Sequence, residues 1–210
     1  MTERVAIVGA GVSGLTCGVV LAERGFHTAI FAKEIGQQTT SGAAAAIWFP
    51  YDAQPAEKVI PWALETYKAL IDLTRDPRSG VSMIDLRQFS RTGEVQIPDW
   101  AIPLGAAAID TGLRPVFKSG FSLPVPLTDT TIYLDYLAAR LLRAGGTING
   151  QVCVEKLEEV DREFDLVINC AGIGARELVR DTDLEPHRGQ VVIVPQVEDL
   201  SSAIVCDDAP

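Results

Sequence analysis

Apolar positions near the start of the chain change period twice. Val5, Ala6, Ile7 and Val8 form an unbroken apolar run, too short for a helix and suited to a parallel strand covered on both faces. Leu15, Val19, Leu21 and Ala22 then recur at helical spacing, with Gly25 placed to close the helix. Thr28, Ala29, Ile30, Phe31 and Ala32 give a second strand. Strand, helix and strand in direct succession predict a βαβ unit.

Between the first strand and the helix stands Gly9-Ala10-Gly11-Val12-Ser13-Gly14. Such a G-x-G-x-x-G is a weak signal alone and a strong one in this context. The first glycine permits the tight turn, the second lets backbone approach a pyrophosphate, and the third lets helix and sheet lie close. Helix N-terminal amides and the positive end of the helix dipole then hold the anion. Glu34 lies about twenty residues beyond Gly14, where a dinucleotide fold needs a carboxylate for the adenosine ribose. These positions predict a bound dinucleotide without choosing between NAD and FAD.

Further along, Lys33 to Tyr51 reads as a loop of small and polar residues around Ala43-Ala44-Ala45-Ala46. Four alanines suit a helix by propensity, or a backbone passing so close to a flat ligand that larger side chains do not fit; both readings stand open. Ile60, Ala63, Tyr67, Leu70 and Ile71 predict a helix over Ile60 to Leu73, with Pro61 in its first turn and its aromatics in the core. From Asp76 to Pro126 many glycines and prolines punctuate short apolar runs, which predicts short antiparallel strands with long connections. Arg87, Arg91 and Arg114 fall there and could face a substrate carboxylate, although exposed arginines are more often simply solvated.

Thr130 or Thr131 can cap a helix through Tyr133, Leu134, Leu137, Leu141 and Leu142 that ends at Gly145-Gly146. Thr147 to Asn149 and Gln151 to Val154 read as a strand pair or one bent strand, and Lys156 to Val160 as a helical turn. Asp165 to Cys170 is another buried-strand run that ends in the small Ala171-Gly172, where nucleotide ligands lie in open sheets. Val191 to Val194 is strand-like and pairs in a predicted hairpin with Ala203 to Cys206. The fold class expected is α/β. A Rossmann-like parallel-sheet domain, discontinuous over residues 1–50 and 126–186, is interrupted by a mixed or antiparallel α+β domain over 51–125 and 187–210. That second domain starts a sheet and stops after two strands, so it reads as incomplete.

Composition narrows the function classes. The 210 residues are 47% hydrophobic and 22% charged, enough for a core and unlike a disordered chain. A formal charge of -10 argues against a nucleic-acid surface. No run reaches a membrane-spanning length, and Met1-Thr2-Glu3-Arg4 enters the first strand with no leader. Cys17, Cys153, Cys170 and Cys206 lack paired spacing and are expected to be reduced and mostly buried in a cytosolic setting. With His27 and His187 as the only histidines, a metal site or His-based triad has almost nothing to build on.

Taken together, Val5 to Gly14, Phe31 to Glu34, Thr39 to Tyr51, Tyr133 to Leu137, Ile168 to Gly172 and Arg188-Gly189-Gln190 resemble the D-amino-acid oxidase and D-aspartate oxidase family of FAD enzymes. The resemblance implies FAD as cofactor. It puts Val8, Gly9, Ala10, Gly11, Val12, Ser13 and Gly14 at the pyrophosphate, and Lys33 with Glu34 near the adenosine ribose. Thr39, Thr40 and Ser41 would line the cofactor, and Ala45, Ala46 and Ile47 would pass their backbone along the isoalloxazine ring. Val154 would touch the adenine side, while Ala171 and Gly172 would close over the middle. Many members of the family carry a glycine within the alanine stretch, and this chain has none.

The chemistry implied is oxidative deamination of a D-amino acid. A hydride leaves the substrate Cα for flavin N5, water hydrolyses the imino acid to a 2-oxo acid and ammonia, and oxygen is reduced to hydrogen peroxide. Its partners would be the small-molecule substrate and oxygen, with no nucleic acid and no membrane; a homodimer stays open. Family members continue past the position of Pro210 with the arginine that clamps the substrate carboxylate, so no catalytic residue is named within this chain. A targeting tripeptide beyond it would redirect a cytoplasmic protein to peroxisomes. The alternatives are a flavin amine oxidase for glycine or sarcosine, a non-catalytic FAD-binding remnant and, more distantly, an NAD-dependent dehydrogenase.

Overall fold

Four successive apolar residues are buried without penalty only in a strand flanked on both sides and covered on both faces, and β1 (Arg4–Ala10) is placed that way. The structure is a computed structural model and describes residues 3–50, 53–112, 116–161, 163–192, 194–195, 200–206 and 208. After β1 come α1 (Val12–Ala22), β2 (His27–Ile35), α2 (Ala56–Leu73), β3 (Val81–Ser90), β4 (Ala107–Ala108) and β5 (Ser119–Thr128). Then follow α3 (Thr130–Arg143), β6 (Thr147–Gly150), α4 (Glu158–Asp161), β7 (Leu166–Asn169), α5 (Ala175–Leu178) and β8 (Ser202–Cys206). The chain divides into two compact units: Met1–Ala45 with Arg78–Gly80 and Asp129–Val191, and Ala46–Pro77 with Val81–Thr128 and Val192–Pro210.

The first unit is built on a parallel sheet of order β6-β2-β1-β7. Ile7 stands opposite Ile30 on one side and Ile168 on the other, so the apolar runs stack in register. α1 lies close because Gly18 has no side chain: a Cβ there would be 3.2 Å from Ile30 Cδ1 and 3.3 Å from Leu141 of α3. It ends in a Schellman closure, with Gly25 at φ +91° and the Phe26 N–H donating to Leu21 O. Arg140 of α3 donates two hydrogen bonds to the Glu23 carboxylate and ties the two helices together.

One buried group in this unit is unsatisfied. Thr28 on β2 is 4% exposed, and its hydroxyl has no hydrogen-bond partner among the described residues. Leaving such a group unpaired costs about 1–3 kcal/mol. Thr28→Val is therefore expected to raise stability by about 1 kcal/mol in denaturant unfolding; a lower midpoint would show that the hydroxyl has a partner after all.

The second unit carries a sheet of order β4-β5-β3-β8, in which β3 and β5 run antiparallel over their full length, from Val81 opposite Thr128 to Ser90 opposite Ser119. Two prolines inside β5 break the usual rule for a paired strand, and geometry explains why they are tolerated. A residue's N–H and C=O point to the same side of a strand, and at Pro124 and Pro126 that side faces away from β3. The Pro124 carbonyl accepts from the Tyr67 hydroxyl and the Pro126 carbonyl from the Trp48 N–H, so no donor is missed. Trp48 is buried, donates its indole N–H to Ala63 O of α2 at 3.0 Å, and meets the rings of Tyr67 and Trp100 edge-on.

Several expectations change. The helix predicted from Ile60 starts at Ala56, so Pro61 lies inside it, where its missing N–H forfeits one backbone bond. Of its aromatics, Tyr67 packs, but Trp62 is 61% exposed rather than in the core. Of the strands that begin between Asp76 and Pro126, β3 and β5 are ten residues long rather than short, and β4, of two residues, is short. The cap of α3 is Asp129, whose carboxylate accepts from the Thr131 N–H, and neither threonine takes that role. The bent strand ends at Gly150, because Gln151 turns the chain at φ +60°.

In place of the predicted hairpin, β8 pairs in parallel with β3, and Val191, Val192 and Val194 form no strand. No cysteine is fully buried: Cys153 is exposed, and Cys17, Cys170 and Cys206 are half-buried. Tyr51, Arg114 and Ile193 lie outside the described residues.

Candidate functional site

Three glycines shape the turn after β1, each against a different neighbour. Gly9 adopts φ +109°, and a Cβ on it would lie 2.2 Å from the Cys170 carbonyl oxygen at the end of β7. Gly14 is buried, and its Cβ would lie 1.9 Å from the Gly9 carbonyl. Both obstacles are backbone and cannot rotate aside. Gly11 is less confined, with only the Ser41 hydroxyl at 3.0 Å. The first and third glycines therefore let three segments of backbone converge: the turn, the first turn of α1 and the Cys170-Ala171 link.

At the start of α1 the backbone presents donors. Leu15 is the first residue whose N–H closes a helical bond, to Gly11 O, so the preceding amides need partners from outside the helix. The Val12 N–H donates to Ser41 Oγ at 2.9 Å. Val12 and Ser13 are exposed, and no acidic side chain occupies the first turn. An anion placed here meets unpaired N–H groups and the positive end of the helix dipole. Val8 and Ala10 are buried strand residues that hold the turn from beneath.

The Ser41 loop is fastened by its own hydrogen bonds. Thr39 Oγ1 donates to Gly36 O at 2.7 Å, which commits that hydroxyl to the turn, while Thr40 is exposed. Gln37 donates to Thr130 O, and the Thr130 hydroxyl donates to Gly42 O at the N-terminus of α3. Ser41→Ala removes the acceptor of the Val12 N–H and is expected to lower stability by about 1 kcal/mol and to weaken cofactor retention. Denaturation with and without added FAD measures both effects, and an unchanged midpoint in each would remove Ser41 from the site.

The remaining expected residues are scattered around this turn. Ala171 donates its N–H to Asn169 Oδ1 at 3.1 Å, and Gly172, at φ +56°, starts a short helical turn. Lys33 and Glu34 are exposed at the carboxyl end of β2, and the Glu34 carboxylate has no hydrogen bond or ion pair among the described residues. Val154 is half-buried beyond β6, and Ala45 is exposed at the end of the first unit.

Ala46 and Ile47 belong to the second unit. The tetra-alanine run is not helical. Ala46 adopts φ +23° and its carbonyl accepts from the Thr128 N–H, so Ile47 bridges to Leu127 as a non-hydrogen-bonded pair. The N–H and C=O of Ile47 therefore point away from β5. Gly42 and Thr130 meet across 88 positions of the chain, so nothing local announces their contact, whereas Asn169 supports Ala171 only two residues on. Arg87 is held by the neighbouring Asp85 at 2.7 Å. Among the described residues no group of His, Cys, Asp and Glu could hold a metal ion, and no helix is long and apolar enough to cross a membrane.

Residues 4–209 match the family described as FAD dependent oxidoreductase. The chain belongs to that family. Among its curated relatives, a D-amino-acid oxidase of Rubrobacter xylanophilus is 39% identical over 92% of this chain and 60% of its own length. One from Streptomyces coelicolor is 38% identical over 90% and 58%. A human D-aspartate oxidase is 31% identical over 94% and 62%. The chain thus spans about three-fifths of the length of the curated relatives it matches.

Many solved structures share the fold. The glycine oxidase of Geobacillus kaustophilus has a TM-score of 0.69 and 19% identity, covering 88% of this chain and 60% of its own. The L-proline dehydrogenase of P. horikoshii has a TM-score of 0.65 and 13% identity, covering 98% and 64%. FAD, the family's cofactor, fits the first unit on its own geometry: the space cleared at Gly9 and Gly14, the unpaired amides of α1 and the unpaired Glu34 carboxylate match a pyrophosphate and a ribose.

Proposed function

We propose that this chain is the cofactor-binding portion of a D-amino-acid oxidase, together with part of the domain that binds substrate. The observation that carries this reading is the identity of 38–39% to two bacterial D-amino-acid oxidases over at least 90% of the chain. Residues 1–50 and 126–186 are assigned to the cofactor, and 51–125 with 187–210 to the substrate domain. Substrate and co-substrate are a D-amino acid and oxygen. Four cysteines outside any disulfide accord with a reducing cytoplasmic setting.

When bound, FAD supplies a two-electron oxidation of the substrate and passes those electrons to oxygen, which yields hydrogen peroxide. The residues of this chain bind and orient. Amides of Gly11, Ser13 and Gly14 offer the pyrophosphate fixed donors, while that of Val12 fastens Ser41 beside them. Ser41 accepts from Val12, which leaves its own hydroxyl proton free to donate to a phosphate oxygen. Glu34 accepts from the ribose hydroxyls, with Lys33 beside it. Thr39 and Thr40 shape the loop, Val154 bounds the adenine, and Ala171 with Gly172 lies across the middle of the cofactor. The backbone of Ala45, Ala46 and Ile47 is assigned to the isoalloxazine edge.

The test uses the product of the whole gene. Purified protein is expected to be yellow and to release peroxide with D-alanine or D-aspartate and not with the L-isomers. Turnover of N-methylglycine in place of D-amino acids would overturn the substrate class in favour of a glycine-type oxidase. A colourless protein that binds NAD would overturn the cofactor assignment.

A further inference from the structure

Two of the four thiols meet at the glycine turn. Cys170 ends β7 against the first turn of α1, where its Cβ is 3.4 Å from the position a Cβ on Gly14 would take. Cys17 follows Gly14 by one helical turn, so both lie on the same face of α1. Burial and the nearby Cys17 sulfur both act on the Cys170 thiol, neither cysteine is in a disulfide, and both are half-buried, within reach of a small oxidant. Nothing in the cofactor-binding scheme uses either sulfur.

We propose that Cys17 and Cys170 form a peroxide-closed disulfide that pins α1 to the end of β7 and so locks the phosphate-binding turn. Peroxide oxidises the Cys17 sulfur to a sulfenic acid and leaves as water. The Cys170 sulfur then attacks, the Cys17 S–O bond breaks, the S–S bond forms, and the Cys170 proton departs with the second water. Two thiols lose two electrons and one peroxide gains them.

The order of attack follows from the environment. Burial, with the Cys17 sulfur adding to it, pushes the Cys170 thiol up to about 12, so Cys170 stays protonated and resolves rather than initiates. Closure is accordingly slow and reports peroxide that has accumulated, not single turnovers. Only the source of the oxidant rests on the proposed oxidase activity; the thiol pair does not.

The experiment treats the FAD-loaded whole protein with added hydrogen peroxide, blocks remaining thiols by alkylation and maps the peptides. Expected is a Cys17–Cys170 cross-link that lowers the mass by two hydrogens, while Cys153 and Cys206 stay alkylatable. The thermal midpoint should rise by about 5 °C or more, and dithiothreitol should reverse both changes. Cys17→Ser should abolish the cross-link and the shift while retaining FAD; if it folds poorly, Cys170→Ser serves instead.

Alkylation of both Cys17 and Cys170 after peroxide would overturn the proposal, as would a cross-link that leaves the midpoint unchanged. A parallel arm replaces peroxide by D-alanine, with and without catalase. A cross-link with added peroxide but none with D-alanine would locate the failure in the oxidase reading and not in the pair.

Discussion

Gly14→Ala is expected to yield a chain that retains no FAD and unfolds well below the wild-type midpoint. The added methyl would sit 1.9 Å from the Gly9 carbonyl oxygen and 2.9 Å from its carbon, with Cys170 Cβ at 3.4 Å behind it. No side-chain rotation relieves a clash with backbone, so α1 must lift from the sheet or the turn must open. Overpacking of a closed core commonly costs about 1–3 kcal/mol, and here roughly 3 kcal/mol or more is expected, because only backbone can yield; both responses also separate the amides assigned to the pyrophosphate. Denaturant unfolding and flavin absorbance after gel filtration measure the two losses. Gly189→Ala, with nothing within 4 Å of its added carbon, is the matched control and should be silent. Wild-type stability in Gly14→Ala would mean that helix and turn are not packed as described.

Trp48→Ala is expected to have the largest effect in the second unit, about 3–5 kcal/mol. The indole is 8% exposed, with Tyr67 at 4.8 Å and Trp100 at 5.7 Å between ring centroids. Alanine leaves a cavity that α2 and the sheet cannot close, and it removes the indole hydrogen bond to the Ala63 carbonyl. Trp48→Phe keeps most of the volume and loses chiefly the 3.0 Å hydrogen bond, so about 1 kcal/mol is expected. Urea titration followed by circular dichroism distinguishes the pair. Equal losses would assign the stability to the hydrogen bond alone.

The elements legible from sequence were those whose pattern is local. β1, α1, β2 and β7 each announce their period in consecutive residues, and Gly9, Gly11 and Gly14 announce the turn, so a dinucleotide-binding unit is legible from them, whereas FAD and the family rest on the resemblance of longer stretches. What stayed hidden depends on partners distant in the chain. Nothing near Ser202 says that its strand lies parallel to β3, and a hairpin was the cheaper guess. Pro124 and Pro126 read as loop residues until the direction of their carbonyls is known.

The candidate site divides in the same way. The turn glycines carry a motif, whereas the contact between Gly42 and Thr130 that fastens the Ser41 loop carries none. Ala46 is instructive because its backbone at φ +23° is one that glycine adopts at no steric cost, and an alanine run gives no sign of that demand.

Strand order in the first unit also sets a timetable for synthesis. β1 and β2 leave the ribosome first, yet the strands that flank them, β6 and β7, are translated only after α2, β3, β4 and β5. At about 5–20 residues per second, the nascent sheet waits on the order of ten seconds with both outer edges of its first pair unmet. Val5 to Val8 and Ala29 to Ala32 are apolar and uncovered through that interval, so the newborn chain offers a sticky ribbon to any neighbour. Yield on expression should therefore depend on holding chaperones and on temperature more than the finished fold would suggest.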